Sequence, residues 1–97
     1  MCLKITEYTD YCLICSKPKD DIHHCMKGHK QRHLAEEDNL KIPVCRECHE
    51  KIHKHKELNV LVEIIGQLAY EKHKCAEGYG EAAARESFRI RYGRSYL

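Results

Sequence analysis

Two CxxC pairs, Cys12-Leu13-Ile14-Cys15 and Cys45-Arg46-Glu47-Cys48, constrain this chain more than any other feature. Each knuckle turns two sulfurs toward one point, and two knuckles complete a tetrahedron, the closed ligand set of a structural zinc ion. The 29 residues between Cys15 and Cys45 exceed the roughly 15–20 of a simple zinc ribbon, so the excess must loop out as structure of its own. Four unrelated buried cysteines would not repeat the spacing. Cys45-x-x-Cys48-His49 also matches a haem-attachment pentapeptide, but that reading leaves the other CxxC idle and finds no export signal upstream.

A chain of 97 residues with no Trp has a thin core, so a metal cross-link would supply stability that burial alone gives sparingly. One domain, 1–97, is expected. The N-terminal stretch lacks the apolar run of a signal peptide, and no segment approaches the roughly 18 apolar residues of a membrane span. A cytoplasmic protein that avoids membranes is therefore expected. In a reducing compartment the seven cysteines read as metal ligands before disulfides, which leaves Cys2, Cys25 and Cys75 as small hydrophobes or surface thiols. The net charge of +2 announces no polyanion partner, because Glu36-Glu37-Asp38 offsets part of the Lys-rich middle.

Pro18 and the Lys-Asp-Asp run mark a turn before a short strand from Ile22 to Met26, ended by Gly28. A polar, His-rich connection, Gly28 to Asn39, leads to a second strand at Leu40 to Val44, which Pro43 marks as an edge. The two strands are expected to form a hairpin with a long loop. From Arg46 the charged pattern is helical and sets His49 and His53 on one face. Val60, Leu61, Ile64, Ile65, Leu68 and Ala69 then recur at helical spacing, predicting a helix to about His73 whose apolar face packs inward. Gly78 and Gly80 break it, and 81–92 forms a second helix with Ala82, Ala83, Phe88 and Ile90 as its apolar face. The tail from Arg91 to Leu97 mixes basic and aromatic residues, which suits either phosphate contact or Tyr rings tucked on the core.

The histidines suggest a second, open metal site. His49 and His53 at i, i+4 can bind one ion, but His29 and His33 share that spacing and His55 sits nearby, so spacing alone does not choose the ligands. His23-His24 adds discrimination, since one imidazole can bind metal while its neighbour accepts a proton near neutral pH. An ideal strand points such neighbours to opposite faces. The arrangement therefore requires irregular backbone, or a substrate that enters at the strand end.

Taken in order, Ile22-His23-His24, Asp38-Asn39-Leu40, Ile42-Pro43-Val44-Cys45-Arg46-Glu47-Cys48-His49 and His53 resemble the pattern of the HNH endonucleases. The resemblance covers residues 12 to about 56 and is similar to the branch in which a four-cysteine zinc site braces the motif, as in small phage and prophage nucleases. It implies an α+β fold: a zinc-stabilised, treble-clef-like ββα-metal core over 12–56, then two helices in a C-terminal extension, 59–97. Cys25 stands where an aliphatic residue is usual, and the histidines of 29–33 are surplus.

For mechanism the resemblance implies that Cys12, Cys15, Cys45 and Cys48 hold the zinc, while His23, His49 and His53 hold one catalytic divalent ion, magnesium, manganese, nickel or zinc. His24 would deprotonate the attacking water. Asn39, otherwise a plain turn residue, would hold the hairpin loop and orient His24. Lys27, Lys30 and Arg32 are candidates for DNA phosphate contacts, against the reading of a solvated loop. The expected activity is nicking or double-strand cleavage of double-stranded DNA in a bacterial host cell, with a homodimer left open. The competing class is a non-catalytic zinc-braced module binding DNA or protein, which needs no particular residue at position 24.

Overall fold

The computed structural model describes residues 5, 6 and 9–97, so Cys2 lies outside the described residues. Its elements are β1 (Asp21–His24), α1 (His29–Glu37), β2 (Lys41–Val44), α2 (Arg46–Lys54), α3 (Lys56–Ala76) and α4 (Glu81–Tyr92). Among the described residues, one two-stranded sheet with four helices makes a small α+β fold. No helix among the described residues is long and apolar enough to cross a membrane.

β1 and β2 pair antiparallel, with Ile22 opposite Pro43 and His23 opposite Ile42. Both strands of a two-stranded sheet are edges, so a proline without an N–H is tolerated. Its carbonyl accepts a hydrogen bond from the backbone N–H of Leu13 at 2.9 Å, which ties the first knuckle to β2. Leu40, Ile42 and Val44 are fully buried and join Ile52, Val62 and Phe88 in the core.

The connection between the strands is not the irregular loop expected from its polarity. Gly28, at φ 95°, turns the chain out of β1 and into α1, and Arg32 N–H closes the first turn on the Gly28 carbonyl at 2.8 Å. The helix stops where Asn39 takes a left-handed φ of 56°. Asn39 N–H then reaches Glu36 O at 3.3 Å and Leu40 N–H reaches Ala35 O at 2.8 Å, the paired bonds of a Schellman cap, with Leu40 entering the core. Asp38, at the end of α1, accepts a two-pronged bond from Arg91 at 2.7 and 3.0 Å and a third from the Tyr92 hydroxyl, which fastens α1 to α4.

α3 also differs from its periodicity. Its buried face carries Asn59, Val62, Glu63, Gly66, Gln67, Tyr70 and Glu71, whereas Leu61 and Leu68 face outward. The buried polar groups are satisfied: Asn59 donates to Glu63 at 3.1 Å, Gln67 donates to Glu71 at 2.7 Å and to Ser95 at 2.9 Å, and Gln67 accepts from Tyr96 N–H at 2.7 Å. Gly66 marks the closest approach, since a Cβ there would lie 2.8 Å from Cys25 Cβ and 2.7 Å from Met26 Cε. On α4 the inward stripe is Ala84, Phe88 and Tyr92 at i, i+4, i+8, while Ala82, Ala83 and Ile90 are exposed. The Phe88 and Tyr92 rings stack at 4.6 Å and meet Tyr70 edge-on. Tyr92 is thus core, and the tail packs against α3 through Ser95 and Tyr96.

Candidate metal centres

The sulfurs of Cys12, Cys15, Cys45 and Cys48 lie within 4.8 Å of one another, with Cys15 and Cys45 3.5 Å apart. Zinc–sulfur bonds of about 2.3 Å in a tetrahedron put sulfurs roughly 3.8 Å apart, so the four can hold a structural metal such as zinc. Local structure builds the site. Cys12 and Ser16 close the first knuckle through a backbone bond of 3.0 Å, and Cys45 is the N-cap of α2, its sulfur accepting from Cys48 N–H at 3.4 Å. Burial pushes the Cys12 thiol up, but the backbone N–H groups of Cys15, Cys45 and Ile14 outweigh it and bring the thiol down to about 6. Burial, followed by hydrogen bonding with Cys45, pushes Cys48 up to about 12. Four adjacent sulfurs can all be thiolates only with a cation among them, which is what a metal supplies.

Nitrogens of His23, His49 and His53 also lie within 4.8 Å of one another. β1 presents His23 and two turns of α2 present the others, with ring centroids 4.9 to 5.6 Å apart. Burial first, then the neighbouring His49 and His53, lowers His23 to about 4, which keeps its imidazole neutral and able to ligate. His49 Nδ1 lies 3.2 Å from Asp21 Oδ2. Three imidazoles, with no fourth ligand beside them among the described residues, fit a divalent ion with an open coordination sphere.

His24 is the last residue of β1, and it lines the same cleft of about 490 Å³ as His23, His49 and His53. His24 Nε2 lies 2.7 Å from Glu36 Oε2, and Lys41 Nζ holds the other Glu36 oxygen at 3.1 Å. The His24 and Lys41 contacts hold the Glu36 carboxyl below its usual range. Glu36 was hidden to sequence reasoning by the treatment of 28–39 as loop; a helix there brings it back toward β1. Asn39 contributes the left-handed turn that ends α1. Lys27 and Arg32 line the cleft, as does His29, but Lys30 faces a different groove formed with Tyr70, Ile90 and Arg91. Buried Asn59, from α3, also lines the cleft and carried no sequence signal. Cys25 is buried, which pushes its thiol up to about 12, and Cys75 is exposed, so both stand outside the metal sets.

A four-sulfur cluster and a three-imidazole cluster on one small α+β fold define a candidate two-site metalloprotein. The chain belongs to the family described as "Protein of unknown function (DUF968)", whose sequence model matches residues 4–59. That match corrects the expected membership of the HNH endonuclease family: the motif order that suggested it is present, but the family the chain falls in is a different one. The chain is also 38% identical over 72 residues to a protein of Sarcophyton glaucum named "Mitochondrial DNA mismatch repair protein mutS homolog". The match takes in 69% of this chain and only 7% of that protein's length. No solved structure matches the chain.

Proposed function

We propose that this chain is a metal-dependent nuclease hydrolysing DNA phosphodiester bonds, with its active site in the cleft of His23, His24, His49 and His53. In this reading β1, β2 and α2 act as a ββα-metal unit braced by zinc on the four cysteines. The observation that carries it is the convergence of three imidazole nitrogens within 4.8 Å, beside a fourth ring that is held by Glu36 outside the cluster. Imidazole donors favour nickel or zinc over magnesium. Held by His23, His49 and His53, such an ion would supply charge relief to the phosphoryl oxygens and to the leaving 3′ oxygen.

The chain's own residues supply the rest. Glu36 accepts the Nε2 proton of His24, so Nδ1 is the nitrogen that takes a proton from the attacking water. Lys27 and Arg32 bind phosphates on either side of the scissile bond, while Asp21 fixes the His49 ring. The name of the Sarcophyton glaucum protein places it in DNA repair, which supports DNA as the substrate class here.

Incubation of zinc-loaded protein with supercoiled plasmid tests the proposal, with manganese, nickel, magnesium, added zinc or chelator in separate reactions. Nicked or linear product that chelator abolishes is expected. If no DNA form is cut with any metal, a non-catalytic zinc-braced binding module becomes the better reading.

A further inference from the structure

α3 carries its apolar stripe on the side turned away from the core. Leu61 is 54% and Leu68 49% exposed. Ile64 and Ile65 between them are only half-buried, and among the described residues neither belongs to or packs on the core cluster. Contiguous apolar surface of this kind on a small chain marks an interaction site. One turn beyond each end of the stripe stands an exposed charge, Glu57 before it and Lys72 after it. Among the described residues neither has an ion-pair partner within the chain.

The order Glu57, Leu61, Ile64, Ile65, Leu68, Lys72 is symmetric in spacing and antisymmetric in charge about the Ile64–Ile65 peptide. At about 1.5 Å per residue the two charges stand roughly 22 Å apart along the axis. An antiparallel copy of the helix, related by a twofold axis through that peptide, sets Leu61 on the partner's Leu68. It also sets Glu57 beside the partner's Lys72, and the same pair recurs at the other end. A parallel copy would instead bring like charges together. We propose that α3 is the interface of an antiparallel homodimer built on this stripe. The occupant is a second copy because the surface is complementary to itself, as an isologous twofold contact requires. One helix stripe is small beside the roughly 800 Å² per partner of a standard interface, so dissociation on the order of 10 µM is expected.

Sedimentation equilibrium of the zinc-loaded full chain tests this, in reductant so that exposed Cys75 cannot cross-link. The wild type is expected to show a monomer–dimer equilibrium. Leu68→Glu should be monomeric with an unchanged melting temperature, since Leu68 lies outside the core. Glu57→Lys and Lys72→Glu should each weaken the dimer up to about tenfold, and the double variant should restore it. A wild type that stays monomeric at about 200 µM overturns the proposal, as does a dimer unaffected by Leu68→Glu. Failure of the double variant to restore dimerisation overturns the antiparallel register. None of these readouts depends on cleavage, so they stand apart from the nuclease reading.

Discussion

Asp21 Oδ2 stands 3.2 Å from His49 Nδ1, two residues before His23 on the same strand. The alternation of β1 puts Asp21 and His23 on one face, so a single strand offers both a candidate metal ligand and a carboxylate placed to orient another. A proton on Nδ1 shared with Asp21 leaves the lone pair of His49 on Nε2, the arrangement that raises ligand basicity.

Asp21→Ala should therefore weaken binding of nickel or manganese to the histidine cluster by about 10–100-fold while leaving zinc on the cysteines. Calorimetric titration of zinc-loaded protein measures it. Unchanged affinity would mean that Asp21 is only a surface partner of His49.

The cysteine site should behave as part of the fold. Purified protein is expected to hold about one tightly bound zinc, and Cys48→Ser should lose both the metal and the folded circular dichroism signal. Elemental analysis and thermal melts in chelator check this. A zinc-free wild type with an unchanged melting temperature would contradict it.

Gly66→Ala places its Cβ against Cys25 Cβ, which belongs to backbone-anchored structure and cannot swing away as the end of Met26 can. Helix propensity gains about 1 kcal/mol from the change, and overpacking costs about 1–3 kcal/mol, so a net loss of about 1 kcal/mol is expected. Urea unfolding with zinc bound would show a lower midpoint and the same slope; a higher midpoint would mean the contact relaxes freely.

How much of this was legible in the sequence depended on whether a signal was local. The four cysteines, β2 and the span of α4 follow from spacing, alternation and glycine breaks, and all appear near their expected places. α1 was not legible because Ala35 is its only fully buried residue, so it has almost no apolar periodicity to read. The inward face of α3 was misread for a different reason. Gln67 and Glu71 are buried because Ser95, Tyr96 and Arg85, distant in sequence, satisfy them, and Gly66 draws that face in. Glu36 beside His24 and Lys30 turned away from the cleft both follow from α1, so one missed helix explains both.

The proton-accepting role proposed for His24 is tested most directly by single-turnover plasmid cleavage. His24→Ala should bind DNA and metal as the wild type does, yet cut at least about a hundredfold more slowly, since removing a general base typically costs 10²–10⁴-fold. His53→Ala, compared in parallel, should lose metal loading and cleavage together, whereas His29→Ala and His33→Ala should keep both. Cleavage by His24→Ala at the wild-type rate, under conditions where His53→Ala is inactive, would contradict the assignment.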